Sequence, residues 1–174
     1  MKILAGIYKG KTLVSLSENT KPTSSFVKTA VFNMLFKIEG EVLDLFAGSG
    51  SYGFEALSRG ALKVYLNDKD KEAYKSLIIN KKQLNDDKNI VLSNLDYTEA
   101  ILKYQILKIN FNITFLDPPY NFTDEKIEAV LNEIAKISNI IVLEREKSSK
   151  TIELTTKKIV KEKTYGIKKI TIYQ

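Results

Sequence analysis

Asp44-Leu45-Phe46-Ala47-Gly48-Ser49-Gly50 is the stretch whose reading decides the fold. Val42 and Leu43 open it as an apolar strand, an acid ends the strand, and a glycine-rich turn leads into a helix from near Ser51 to Gly60. Outward from there the chain alternates. Strands are expected over residues 63–67, 89–92, 111–116 and 139–144, and helices over 69–84, 98–107 and 123–136. Strand–helix alternation of this length implies an α/β fold, a doubly wound, mostly parallel sheet with helices on both faces. Two further strand-like runs, 151–160 and 167–173, flank Tyr165-Gly166 and would insert one antiparallel C-terminal strand. Upstream, residues 1–16 read as a β-hairpin turning at Lys9-Gly10-Lys11, and residues 17–23 as a loop containing Pro22. A helix follows from Thr23-Ser24-Ser25, whose hydroxyls suit an N-cap, through about Lys37. The chain thus divides into an N-terminal hairpin–helix extension, 1–40, and a compact body, 41–174.

Composition narrows the chemistry. The 174 residues contain neither cysteine nor histidine. That removes a thiolate nucleophile, a histidine base and the usual zinc sites, and makes a reducing cytoplasm the expected compartment. No apolar run approaches the length of a membrane helix, so no membrane is expected, and the chain is expected to be a monomer without a metal. The formal net charge is +6, which suits an anionic partner such as nucleic acid. Only Arg59 and Arg145 are arginines among 27 basic residues, so codon preference for lysine accounts for part of that charge.

Gly48-Ser49-Gly50-Ser51-Tyr52-Gly53 satisfies G-x-G-x-x-G, a pattern shared by dinucleotide sites and by plain strand–helix turns. Asp44, four residues before Gly48, argues against a pyrophosphate at the helix N-terminus and for a cationic cofactor. S-adenosylmethionine, with an ammonium and a sulfonium, fits. Asp68 ends the next strand, where an acid accepts ribose hydroxyls, or it caps the following helix. Asp96 stands after the third strand as an acceptor for an adenine amine or, equally, as a helix N-cap.

The second motif, Asp117-Pro118-Pro119-Tyr120, ends the apolar strand 111–116. Two prolines set φ near ~−65° and remove two N–H donors, so the local backbone offers only acceptors. An aromatic NH2 needs acceptors for its hydrogens. The Asp117 carboxylate and Pro118 carbonyl would take them, and Tyr120 would stack on the ring. A structural X-Pro-Pro turn is the plain alternative. The two motifs together point to methyl transfer onto an exocyclic amine of a nucleobase.

These residues resemble the class I S-adenosylmethionine-dependent methyltransferases. More narrowly, the chain resembles the guanine-N2 methyltransferase family of bacterial 16S rRNA, the RsmD type, from Met1 to about Ser148. The opening Lys2-Ile3-Leu4-Ala5-Gly6-Ile7-Tyr8-Lys9-Gly10-Lys11, Lys21-Pro22-Thr23, Val27-Lys28, residues 31–35 and Glu55-Ala56-Leu57-Ser58-Arg59-Gly60-Ala61 carry that likeness beside the two motifs. The resemblance implies that Asp44, Ala47, Gly48 and Gly50 bind the methionine end of S-adenosylmethionine, that Asp68 holds the ribose and that Asp96 approaches the adenine. It implies that Asp117, Pro118 and Tyr120 handle the target amine, guanine 966 of 16S rRNA in the small ribosomal subunit or its assembly intermediate. It further implies RNA contacts from the N-terminal element, with Lys9, Lys11, Lys21 and Thr23 as candidates. The remaining lysines, Lys157, Lys158, Lys161, Lys163, Lys168 and Lys169, read as solvated strand edges. Two other functions share these features: a DNA adenine or cytosine amino-methyltransferase, and a non-catalytic RNA-binding module on the same fold.

Overall fold

The computed structural model describes residues 1–17, 24–86 and 88–174. One 7-stranded sheet runs in the order β3-β2-β1-β4-β5-β7-β6. Its strands are β1 (Glu41–Asp44), β2 (Lys63–Asn67), β3 (Ile90–Ser93), β4 (Phe111–Leu116), β5 (Ser138–Glu146), β6 (Ile159–Tyr165) and β7 (Lys168–Tyr173). The helices are α1 (Ser25–Met34), α2 (Ser51–Ser58), α3 (Lys71–Leu84), α4 (Tyr97–Ile106) and α5 (Asp124–Ala135). β1 to β5 pair in parallel, and β7 alone runs against them, between β5 and β6. This is the doubly wound, mostly parallel sheet with a single antiparallel strand that the alternation implies.

Period-2 alternation sorts the strand side chains between two cores. Val42, Ile113, Phe115, Val142, Ile170 and Ile172 face one core, with Val31 of α1, Phe54 of α2 and Leu77 of α3. Leu43, Leu116, Ile141, Leu143 and Tyr173 face the other, against Ile101 of α4 and Leu131 of α5. Strands buried on both sides need continuous apolar runs, which is why they stand out in the sequence. Strand order reverses between β1 and β4, so their C-terminal ends open the crevice where this architecture binds ligands.

The N-terminal extension packs into the same core through Ile3, Leu13 and Val27. Its hairpin pairs around the Lys2–Thr12 bridge, with Ile3 N–H donating to Lys11, Gly10 N–H to Ile3 and Leu13 N–H to Met1. The backbone N–H groups of Leu4 and Ala5 donate to the Glu55 carboxylate at 2.7 and 3.1 Å. Glu55 is fully buried and is neutralised by Lys28, also fully buried, at 3.2 Å and by Arg59 at 2.7 Å. A side-chain carboxylate of α2 therefore ties the hairpin to the body. Gly6 makes the close approach possible: its φ is +82°, and a Cβ there would lie 1.7 Å from the Ser58 carbonyl oxygen.

Two element boundaries and the exposure of the C-terminal lysines differ from the sequence expectation. α1 is capped by Ser24, whose Oγ accepts from Val27 N–H, but it stops at Met34 rather than Lys37. Leu35 turns into the core with extended backbone, and the Lys161 ammonium takes the freed Met34 carbonyl at 2.6 Å. Residues 151–158 form no strand. Ile152 is buried there, and its carbonyl accepts from the Tyr173 hydroxyl at 3.0 Å. The C-terminal lysines are not uniformly solvated either. Lys169 is 8% exposed and donates to the Ser149 carbonyl, while Lys168 turns inward.

Candidate active site

A cavity of about 1220 Å³ opens at the C-terminal ends of β1 and β4. That exceeds an ordinary single-ligand pocket and leaves room for a nucleoside-sized cofactor together with a planar base. Asp44, Ala47, Gly48, Asp68, Asp117, Pro118 and Tyr120 all line it, so the two motifs converge as expected.

The glycine turn forms one half. Gly50 is the N-cap of α2 with φ +83°, and a Cβ there would strike Phe54 and Leu66 at 2.3 and 2.8 Å. It shapes the turn from behind and is not among the lining residues. The Asp44 carboxylate accepts from Gly53 N–H at 2.9 Å, across the first turn of α2. The positive end of that helix is thus occupied by the protein's own anion, and a phosphate brought to it would meet a carboxylate. Burial raises the Asp44 pKa to about 7, with the Gly53 hydrogen bond opposing and the Asp68 charge reinforcing the rise. Asp68 accepts from Gly48 N–H at 2.8 Å and from Asp70 N–H at 2.9 Å, and burial likewise raises its pKa. The cap of α3 is Asp70, which leaves Asp68 facing the cavity. Among the described residues, the buried hydroxyls of Ser49 and Ser51 lack hydrogen-bond partners, and both residues line the cavity. Anionic side chains and unsatisfied hydroxyls make a donor and acceptor set suited to a cationic, polar cofactor.

Of the two roles open to Asp96, the structure shows the helix cap. It caps α4, accepting from Thr98 N–H at 3.1 Å and Thr98 Oγ1 at 2.8 Å, while Glu99 reaches back to its N–H. Its carboxylate is committed to this capping box, and the residue does not line the cavity. The neighbouring wall is aromatic instead. Phe46, Tyr97 and Phe122 all line the cavity with ring centroids 5.4 to 5.8 Å apart. That is an apolar slot for a flat heterocycle, and no single residue type announced it in the sequence.

The second half carries charge. Asp117 lies just past β4, with 27% of its side chain exposed. The Pro119 carbonyl accepts from Phe122 N–H at 3.1 Å and closes the Asp-Pro-Pro-Tyr turn. Tyr120 is 45% exposed at the mouth. The Lys168 ammonium stands 3.6 Å from Asp117 Oδ1, 2.8 Å from Glu144 Oε1 and 4.9 Å from the centre of the Tyr120 ring. The Tyr52 hydroxyl donates to Glu144 Oε2 at 2.5 Å. Burial and then repulsion from Glu144 raise the Asp117 pKa to about 7, while Lys168 pulls it down. Burial opposes the Lys168 charge, but the two carboxylates outweigh it and hold the ammonium above its ordinary range. The Tyr52 hydroxyl is pushed well up, by burial first and by Glu144 and Asp117 next.

Glu144, Lys168 and Tyr52 were not singled out in the sequence. Glu144 carried a signal, since β5 ends its apolar run in an acid much as β1 does. Lys168 carried none, because only the β5–β7 register, Glu146 opposite Lys168 and Glu144 opposite Ile170, brings it diagonally beside Glu144.

The proposed RNA contacts divide. Lys21 and Thr23 lie outside the described residues. Lys9 and Lys11 are exposed, but their turn sits beside the C-terminal ends of α2 and α3, where Ile7 N–H donates to Ser58 and the Tyr8 hydroxyl to Asp86. That is the end of the sheet away from the cavity. Lys69 and Lys126 are the lysines, besides Lys168, that line the cavity itself. No group of His, Cys, Asp or Glu among the described residues is arranged to hold a metal ion, and no helix there is long and apolar enough to cross a membrane.

Comparison with known proteins agrees with this geometry. The family described as conserved hypothetical protein 95 matches residues 1–174. The ribosomal RNA small subunit methyltransferase D of Haemophilus influenzae is 37% identical over 184 residues, covering 100% of this chain and 93% of that protein. A solved structure described as a conserved hypothetical protein of Streptococcus pyogenes has a TM-score of 0.73 at 35% identity, covering 84% of this chain and 93% of that one. The hypothetical protein TTHA0928 of Thermus thermophilus shares the fold with a TM-score of 0.82 at 22% identity, over 99% and 98% of the two chains.

Proposed function

The chain belongs to the family of ribosomal RNA small subunit methyltransferase D, and from that premise we propose that it moves a methyl group from S-adenosylmethionine to the exocyclic N2 amine of a guanine in 16S rRNA, guanine 966 by resemblance. The observation that carries this reading is the meeting of Asp44 and Asp117 in one cavity large enough for cofactor and base.

S-adenosylmethionine, when bound, supplies a methyl on a cationic sulfur; the amine nitrogen bonds to that carbon as the carbon–sulfur bond breaks, leaving neutral S-adenosylhomocysteine and a proton to be lost from nitrogen. The protein's part is binding and positioning. Asp44, Gly48 and Ala47 receive the amino-acid end, Asp68 the ribose, and the Phe46–Tyr97–Phe122 wall the adenine. Asp96 serves the fold next to that wall.

A guanine in a helix keeps its N2 inside the stack, so the base must swing out to reach Asp117. Tyr120, at the mouth, then offers its face to the base. Asp117 as a carboxylate, with the Pro118 carbonyl, accepts the two amine hydrogens and draws the nitrogen lone pair out of the ring. Much of the acceleration comes from holding nitrogen and methyl in line. After transfer Asp117 or a water takes the proton. Lys69 and Lys126 contact phosphates near the target, and Lys9 and Lys11 reach RNA only far from it. The substrate is the small ribosomal subunit or an assembly intermediate.

Tritiated methyl transfer to unmethylated 16S rRNA and to 30S particles, followed by nucleoside analysis, tests the reading. Labelled N2-methylguanosine that disappears with Asp117→Ala is the expected result. Labelled N6-methyladenosine, or label in duplex DNA alone, would reassign the substrate. No label anywhere despite cofactor binding would mean a different target, and calorimetry showing no cofactor binding would leave a non-catalytic RNA-binding module.

A further inference from the structure

Resting on that reading, we propose that Lys168 is a positioning residue for the transfer: its ammonium favours the ionised Asp117 carboxylate, keeps it aimed into the cavity, and fixes the Tyr120 ring beside it.

The argument begins with charge. Asp44, Asp117 and Glu144 all line one cavity, and Asp117 feels the charge of both others. Each like charge nearby favours protonation of Asp117, as does burial. A protonated Asp117 would turn a donor toward the amine, and an amine hydrogen would find one acceptor fewer. The groups facing Asp117 are Asp44 from β1, Tyr52 from α2, Glu144 from β5, Lys168 from β7 and Tyr120 from its own turn. Lys168 is the only cation in that set. It contacts Asp117 at 3.6 Å and Glu144 at 2.8 Å, so one ammonium serves two carboxylates.

Geometry adds a second argument. The same Nζ lies 4.9 Å from the centroid of the Tyr120 ring, within cation–π range. A point charge touching both the acid and the aromatic ring of the Asp-Pro-Pro-Tyr turn restricts how they move relative to each other. Tyr52, hydrogen-bonded to Glu144, anchors the far side of the cluster and stacks on Phe115 of β4 at 4.9 Å. The cluster is thus tied back to the strand that carries Asp117. Lys168 keeps its three protons throughout, and no proton passes through it.

The test is the pH dependence of kcat/KM on RNA for wild type, Lys168→Met and Lys168→Arg, with a parallel 13C-carboxyl NMR titration of Asp117 assigned through Asp117→Asn. Activity should rise with pH through the ionisation of Asp117. In Lys168→Met that acid limb and the NMR midpoint should both move up by about one pH unit or more, with activity down about tenfold near neutrality and recovering at higher pH. Lys168→Arg should keep both near their wild-type positions. Glu144→Gln should move them down, which keeps the inference testable if Lys168→Met fails to fold. An unmoved limb and midpoint in Lys168→Met, or in Glu144→Gln, would overturn it. So would an equal loss at every pH in Lys168→Met and Lys168→Arg. If wild type transfers no methyl to RNA, the functional reading fails, and the NMR midpoints alone decide the role of Lys168.

Discussion

The two halves of the cavity are built by different means. The glycine-turn half is mostly a local construction: acid, turn and helix follow one another within residues 44–58, Asp68 joins from the end of β2, and both carboxylates are already engaged by backbone N–H groups 2.8 to 2.9 Å away. The Asp117 half is assembled from β4, β5, β7 and α2, and its polar side chains engage one another rather than the backbone. One half is held by main-chain geometry, the other by a balance of charges. The first should therefore fail by losing affinity. The second should hold its shape and fail by losing rate.

The sharpest break in that contrast is Asp117→Ala. It should lower methyl transfer by about 10²–10⁴-fold while calorimetric affinity for S-adenosylmethionine stays within a few-fold. A comparable loss of affinity would merge the two halves into one. Next, Asp68→Ala should weaken cofactor binding by about 10–100-fold, the worth of hydrogen bonds to a charged group, with a smaller change in the rate at saturating cofactor.

Stability gives a finer measure of the Asp117 half. Asp117 titrates near 3.8 when unfolded and near 7 when folded, so the folded state binds its proton more tightly. Its contribution is complete below the unfolded value and is lost as pH rises toward 7. Asp117→Asn should then be more stable than wild type at pH 8, on the order of 1–2 kcal/mol given its partial exposure to the cavity, and equal to it near pH 4. Thermal melts of both proteins at the two pH values measure the difference. The smallest expected effect belongs to Asp96→Ala, a loss of about 1 kcal/mol of stability from the α4 cap with cofactor affinity unchanged. A clear loss of affinity would return Asp96 to the adenine site.

What the sequence made legible follows the same division. β2 occupies residues 63–67 as expected, and the order of elements from β1 to β5 follows from apolar runs and glycine punctuation. The convergence of Asp44 and Asp117 was readable because both end central strands of one parallel sheet. The role of Asp96 was not, since an acid after a strand looks the same whether it caps the next helix or meets a ligand. Here Thr98 and Glu99 decide for the cap. The aromatic slot draws Phe46 and Phe122 from two connections and Tyr97 from the start of α4, and nothing local links them. Lys168 looked like one of several strand-edge lysines until the register of β7 set it beside Glu144. The anchor of the N-terminal hairpin was hidden for a similar reason, because Glu55, some fifty residues on, takes the Leu4 and Ala5 N–H groups.

The position of β7 also bears on synthesis. It is made after β6 yet lies inside it, hydrogen-bonded to β5 on one side and β6 on the other. A chain interrupted before residue 168 leaves β5 with an open, apolar edge and β6 with nothing to join. Such an edge is a template for pairing with other chains and a target for proteolysis. Unfinished copies are thus marked for removal by the strand they lack, and only a chain carried through β7 can close the sheet.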